Sequence, residues 1–181
     1  GRHKRTAYKV REGTEWLPAL SFAALDEDDH LVGTIQCWPV AVTPQEGRAF
    51  PMVMVGPVAV LPEQQGHGFG KALMMASIGA ISPEAPLPQV MIGDPEYYGR
   101  FWGFSAEHTL GWQLPGPWEP RRLLARCESK FAQIISSKCV AATLNTVLPG
   151  RCAGSTSFAT CIGNRVDCRV CEALNRNDNL N

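Results

Sequence analysis

One stretch of the chain reads Val58-Ala-Val60-Leu-Pro62-Glu-Gln-Gln65-Gly-His-Gly68-Phe-Gly70-Lys71, which is typical of an apolar strand that runs into a glycine-rich turn with helical sequence after it. The three glycines lie two residues apart, so the turn exposes backbone N–H groups with little side-chain obstruction. A helix that follows such a turn adds free N–H groups and the positive end of its dipole, and both favour a phosphate. The stretch therefore predicts a site for a pyrophosphate.

Spacing excludes two common nucleotide motifs. A Walker P-loop has four residues between its first glycine and its Gly-Lys pair, and Ser or Thr follows that pair. In this chain only three residues separate Gly66 from Gly70-Lys71, and Ala72 follows. A dinucleotide fingerprint needs a third glycine after Gly68-x-Gly70, and none stands there. Two readings remain: Gln65-x-x-Gly68-x-Gly70 holds another pyrophosphate, or the turn only joins a strand to a helix.

The flanking sequence predicts a mixed sheet with few helices. A polar turn at Asp26–Asp29 separates two β-prone runs, so they are expected to form a hairpin. In the third run the Gly56-Pro57 pair removes a ladder donor and predicts a bulge or a splayed strand. The expected elements are the end of a helix within 2–11, strands at 19–25, 31–42, 51–60 and 89–92, a loop at 82–88, and a helix at 69–81 with Phe69, Leu73, Ala76 and Ala80 on its buried face.

A second motif reads Gly93-Asp-Pro-Glu-Tyr97-Tyr98-Gly-Arg100-Phe-Trp-Gly103-Phe104. Pro95 suits the first position of a short helix. Aromatic residues at this density are usually core residues. Together with Leu-Val-Gly (31–33), Gly-Pro-Val-Ala-Val (56–60), the glycine turn and Leu-Pro-Gly-Pro (114–117), however, the motif resembles the GNAT superfamily of N-acyltransferases, in its YhbS-like bacterial branch.

The resemblance covers about residues 2–127 and implies an α/β (α+β) mixed sheet of the acyl-CoA N-acyltransferase fold. The first strand and helix of the family pattern are not found, and the chain starts at Gly1 rather than Met, so we expect an N-terminally truncated version. The implied function is a cytoplasmic acyltransferase that moves an acetyl group from acetyl-CoA, its cosubstrate, to a primary amine of a small molecule or peptide by direct attack. A homodimer is compatible with the resemblance.

The resemblance also assigns the residues of the site. The backbone of Val58, Ala59 and Val60 would pair with the pantetheine arm and steady the oxyanion, and Tyr98 would protonate the departing thiolate, with Tyr97 as the fallback. A phenol suits this task because its pKa of about 10 keeps it protonated at neutral pH. The implied pyrophosphate-binding residues are Gln65, Gly66, His67, Gly68, Phe69 and Gly70.

The second motif departs from the family in one respect, because Gly103 lies five positions after Tyr98 rather than four. Trp102 has the character of an insertion, which either bulges harmlessly or turns Tyr98 away from the sulfur. No general base is assigned, since Asp94 and Glu96 are more typical of helix capping or a solvated surface. Cys37 could suggest a covalent relay, but a lone strand cysteine is more typical of a core.

Composition separates the chain near residue 128. The formal net charge is zero and no apolar run is long enough to span a bilayer, so neither nucleic acid nor a membrane is an expected partner. The first 127 residues are expected to form the GNAT-like domain, and residues 128–181 a Cys-rich appendage whose last residues are disordered. Six of the seven cysteines lie at Cys127, Cys139, Cys152, Cys161, Cys168 and Cys171.

These cysteines leave a disulfide framework open, while a zinc site lacks a second ligand pair, so no metal is expected. Two alternatives to an enzyme also stay open. One is an acyl-CoA-binding or interaction module with impaired catalysis. The other takes the Cys-rich appendage as the functional part, an extracellular interaction module on a decayed scaffold.

Overall fold

The structure, a computed structural model, describes residues 5–46, 48–81, 86–128, 132 and 142–146. Predictions for 82–85, for the cysteines from Cys139 onward and for the terminal residues lie outside them. In chain order the elements are α1 (Thr6–Val10), β1 (Phe22–Leu25), β2 (Leu31–Thr43), β3 (Phe50–Val60), α2 (Phe69–Gly79), β4 (Gln89–Ile92), α3 (Pro95–Trp102), β5 (Leu123–Arg126) and β6 (Thr143–Thr146).

The described strands form one mixed sheet in the order β1-β2-β3-β4-β5, with β6 also paired to β2. The predicted hairpin is confirmed: β1 and β2 are antiparallel around a turn in which Asp26 Oδ1 accepts from the backbone N–H groups of Asp28 and His30. The strand at 89–92 is confirmed, and β1 starts at Phe22 because a 3-10 turn occupies Pro18–Leu20. The predicted mixed α/β fold class is confirmed.

The predicted irregularity at Gly56-Pro57 is present in β3. Ile35 pairs with Val58 and Cys37 pairs with Val55, so two residues of β3 oppose one residue of β2, which is a β-bulge. Parallel pairing between β3 and β4 is confined to Val53–Met54 and Gln89–Val90. Beyond the bulge the two strands no longer pair, and this opening between them is called the strand gap.

The sheet is covered on both faces. One face packs under α1 and the segment around Trp112 and Leu114, and the other packs under α2 and Phe104. The prediction for the buried face of α2 is wrong at two positions, because Ala76 and Ala80 are exposed while Leu73, Met74 and Ser77 are buried. Ser77 is buried because its hydroxyl donates to the carbonyl of Leu20 at 2.8 Å.

Residues beyond the expected boundary at 127 contribute to this sheet. Strand β6 is antiparallel to β2 over Val40–Thr43, and Ala142 and Leu144 are fully buried in the core under α1. The position of the boundary stays a prediction, and β6 argues for a later one. Within the described ranges, no helix has the length and apolarity needed to cross a membrane.

Candidate active site

The glycine turn lies directly before α2, as the sequence predicts. Gly66 and Gly68 have φ angles of +87° and +91°, in the left-handed region that glycine adopts at low cost, and Gly68 is the N-cap of α2. Within the described part of the chain, the backbone N–H groups of residues 66–71 donate no hydrogen bond. The turn therefore presents unpaired donors at a helix N-terminus, which is the arrangement that favours a bound phosphate.

The free edge of β3 connects this turn to the strand gap. The N–H of Leu61 donates to the carbonyl of Val32 in β2 at 2.8 Å. Because the direction of the backbone groups alternates along an antiparallel pair, the N–H and C=O groups of Val58 and Val60 point away from β2. Strand β4 pairs with this edge only at Val53 and Met54, so among the described residues no strand pairs with its part beyond the bulge. The Gln65 amide nitrogen donates to the Val60 carbonyl at 3.3 Å and so ties the start of the turn to the end of β3.

Tyr98 lies beside the strand gap on the first half of α3. Its ring packs against the backbone of Gly93, where a Cβ atom would lie only 2.6 Å and 2.7 Å from two ring carbons. Partial burial raises the pKa of Tyr98, and the charges of Tyr97 and Asp94 act in the same direction. The phenol is therefore held as a proton donor at neutral pH.

Trp102 is accommodated without a bulge. It is the last residue of a continuous α3, and Gly103 ends the helix in the left-handed conformation at φ +70°. Tyr97 is 38% exposed, makes an edge contact with the Tyr98 ring and is not among the residues that line the cleft described next. Of the two predicted tyrosines, the geometry favours Tyr98.

A cleft of about 1020 Å³ opens next to the strand gap. Its lining joins the bulge of β3, the end of β4 and α3 to α1 and the segment around Trp118. None of the lining residues belongs to the glycine turn, so the cleft and the turn are separate regions that meet at β3. The lining includes Tyr8, Arg11, Thr34, Gln36, Gly56, Val58, Ala59, Met91, Tyr98 and Trp118.

Sequence reasoning missed the part of the cleft that α1 provides. Arg11 follows α1, is only 6% exposed and stacks between the rings of Tyr8 and Trp38, with its guanidinium carbon 4.1 Å and 4.5 Å from the ring centres. Burial lowers the pKa of Arg11, while the charge and the hydrogen bond of Tyr8 act in the opposite direction. The three-residue spacing of Tyr8 and Arg11 was the available signal, because residues at that spacing share a helix face.

The remaining candidates have structural positions. Asp94 caps α3 by accepting from the N–H of Glu96 at 3.3 Å, and Glu96 forms an exposed ion pair with Arg121. Neither a carboxylate nor an imidazole is among the described residues that line the cleft. His67 is exposed on the glycine turn.

Cys37 is a core residue, as the simpler interpretation predicts. It is fully buried, and its thiol lies 3.1 Å from the Ser77 hydroxyl. Burial raises the pKa of this thiol to about 11, so it is protonated at neutral pH. A protonated thiol without access to the cleft is not a nucleophile.

The β-bulge, the strand gap and the glycine turn at a helix N-terminus are the features for which the sequence predicts a site for an acyl-CoA. The sequence model described as acetyltransferase (GNAT) domain matches residues 4–104, and the chain belongs to this family. No protein with a curated description matches the sequence.

Two solved structures of the family are similar to this chain. The Escherichia coli GNAT family N-acetyltransferase YhbS in complex with CoA has 23% sequence identity and a TM-score of 0.53, over 68% of this chain and 65% of that one. A Brucella melitensis GNAT family acetyltransferase in complex with acetyl-CoA has 31% identity and a TM-score of 0.41, over 59% of this chain and 65% of that one. The chain thus matches 65% of the length of each.

Proposed function

We propose that the chain is an acetyl-CoA-dependent N-acetyltransferase that transfers the acetyl group directly to a primary amine. The observation that carries this proposal is the continuity of three features along β3: the unpaired N–H groups of the glycine turn, the free edge at Val58 and Val60, and the Tyr98 phenol beside the strand gap. Each matches one part of an acyl-CoA, respectively the pyrophosphate, the pantetheine arm and the thioester sulfur.

Cosubstrate binding would begin at the glycine turn. The N–H groups of residues 66–70 would hold the pyrophosphate together with the dipole of α2. The role of Gln65 would be to position the turn, because its side chain bonds to Val60. The pantetheine amides would pair with the free edge of β3, as an added strand does. The E. coli neighbour was solved with CoA, which agrees with this assignment.

Transfer would proceed in one attack. The amine nitrogen forms a bond to the thioester carbon, and the N–H of Val58 stabilises the oxyanion that develops. The C–S bond then breaks, the thiolate takes the Tyr98 proton, and the phenolate regains a proton from solvent. The amine loses its own proton to water, since neither carboxylate nor imidazole is found among the described lining residues.

An activity that consumes acetyl-CoA fits a cytoplasmic protein, and a homodimer stays a prediction.

The test is thiol release from acetyl-CoA with a panel of primary amines. The wild-type chain is compared with Tyr98→Phe and with Tyr97→Phe as the matched control on the same helix. We expect Tyr98→Phe to lower kcat about 100-fold, the range of a lost general acid, with little change in acetyl-CoA affinity. Tyr97→Phe should keep nearly full activity.

Three results would contradict the proposal. Absence of acetyl-CoA binding at millimolar concentration would exclude the cosubstrate. Binding without thiol release from any amine would favour the non-catalytic binding module. A loss of activity in Tyr97→Phe but not in Tyr98→Phe would exchange the roles of the two tyrosines.

A further inference from the structure

The most unusual group in the cleft is the Arg11 guanidinium. It is 6% exposed and permanently charged, yet its Nη1 atom is buried without a hydrogen-bond partner among the described residues. A buried charge without a counter-ion is costly, so such groups in folded proteins normally have a partner. An acidic group therefore ought to belong here.

The described surroundings of Arg11 do not supply that group. The pKa of Arg11 is shifted by burial and by Tyr8, and no described carboxylate contributes to the shift. The Nε1 atom of Trp38, whose ring lies 4.5 Å from the guanidinium carbon, is a second buried donor without a partner in the described part of the chain. Two unused donors on side chains that stack on each other match a group that has two acceptor oxygens.

The cleft as a whole is also positively charged. Its described charged lining residues are Arg5 and Arg11, both cations. A planar carboxylate fits the fork of one guanidinium, with two parallel hydrogen bonds. The positive lining also disfavours a protonated amine nearby, which helps an acceptor amine to reach its reactive neutral form.

We propose that the acetyl acceptor is a small amine that carries a carboxylate, and that Arg11 binds this carboxylate. The inference rests on the proposed function, because it names the acceptor of that reaction. The carboxylate would lie on Arg11 and the amine would point toward Val58 and Tyr98 at the strand gap. Tyr8, a half-buried residue on the five-residue helix α1, stacks on the guanidinium, and we expect its ring to move when a ligand binds Nη1.

The experiment compares matched ligands on the full chain with CoA bound, so that binding is measured without catalysis. The probes are the standard L-amino acids, β-alanine and γ-aminobutyrate, each paired with its own carboxamide, and binding is followed by ligand-detected NMR. We expect at least one carboxylate to bind about 10- to 100-fold more tightly than its amide, the range of a hydrogen-bonded charge. Thiol release with acetyl-CoA should show the same preference in kcat/KM.

Two variants assign the preference to Arg11. Arg11→Gln should abolish it while leaving acetyl-CoA affinity unchanged, and Arg11→Lys, which keeps the charge but not the fork, should retain only part of it. Arg11→Gln removes two ring contacts and the hydrogen bond with Tyr8, but no ion pair with a described carboxylate, so it should change the Tm by only a few degrees. A fall of about 10 °C, larger than the loss of these ring contacts and of one hydrogen bond explains, would indicate that the chain itself supplies a buried carboxylate partner, and this would overturn the proposal.

The remaining outcomes separate the two proposals. If amines are acetylated but no carboxylate is preferred over its amide, the acceptor inference is wrong and the proposed function stands. If a carboxylate binds through Arg11 but no amine releases thiol, the transferase assignment is wrong and the acceptor role is overturned with it. Tighter binding of O-phosphoethanolamine than of every carboxylate would overturn the carboxylate assignment and indicate that Arg11 binds a phosphate.

Discussion

Gly93 lies directly against the ring of Tyr98, and a single methyl group at this position tests the role of that ring. In Gly93→Ala the new Cβ would lie 2.6 Å from the nearest ring carbon, whereas ordinary contact begins at 3.4 Å. The ring would have to retreat by about 0.8 Å. The N–H of Gly93 donates to Arg122 at 2.9 Å, which limits how far the backbone can move instead.

A displacement of this size is large for a proton donor. Misplacing a catalytic group by about 1 Å can lower the rate about 100-fold, so we expect kcat to fall by roughly that factor. Overpacking should also lower the free energy of unfolding by about 1–3 kcal/mol. The glycine turn is a separate region, so the acetyl-CoA Kd should be unchanged. The assays are thiol release, calorimetric titration of acetyl-CoA and urea denaturation.

Gly79→Ala is the matched control, because a Cβ atom at this position, the last residue of α2, would have no neighbouring atom within 4 Å. It should leave kcat unchanged and raise stability slightly. The double variant Gly93→Ala/Tyr98→Phe should be no slower than Tyr98→Phe alone, because the displaced hydroxyl is already absent. Full activity of Gly93→Ala, or an equal loss on top of Tyr98→Phe, would show that the position of the Tyr98 ring does not determine the rate.

Three further predictions concern other parts of the site and the core. Gly68→Ala puts a side chain at φ +91° and should weaken acetyl-CoA binding about tenfold or more by distorting the turn, whereas Gly70→Ala, with its nearest contact at 3.8 Å, should bind nearly normally in the same titration. Because the pKa of Tyr98 is raised, loss of its phenol proton should not lower kcat below about pH 10. A fall of kcat below pH 9 that is absent in Tyr98→Phe would contradict this. The Cys37 thiol has an ordinary pKa of 9.0 and a folded value of about 11, so its contribution to stability is full below pH 9 and is lost as the pH rises toward 11, by at most about 2.7 kcal/mol. Urea titrations from pH 8 to 10.5 should show this loss in the wild type and not in Cys37→Ala, and parallel curves would contradict it.

The sequence predicts best those parts whose signal is local. The bulge at Gly56-Pro57 follows from the missing donor of proline, and the start of α3 follows from Asp94 and Pro95. The glycine turn follows from the need for positive φ angles. Each of these depends on backbone chemistry, which neighbouring residues determine.

Features that depend on tertiary contacts are predicted poorly. In α2 small residues occupy every face, so spacing alone does not separate the buried side from the exposed one, and Ser77 is buried only because Leu20 supplies an acceptor. Arg11 would be taken for a solvated residue at a helix end, but Tyr8 and Trp38 enclose it. Strand β6, Thr-Leu-Asn-Thr, has a weak strand pattern and forms on the edge that β2 provides.

The central claim is that the glycine turn and the free edge of β3 hold acetyl-CoA. The most direct test is a titration of the ¹⁵N-labelled chain with acetyl-CoA, observed through its backbone amide resonances. We expect the amides of residues 66–71 and of Val58 and Val60 to shift together with a single Kd in the micromolar range. Unchanged resonances at millimolar acetyl-CoA, or shifts confined to residues outside these two segments, would contradict it.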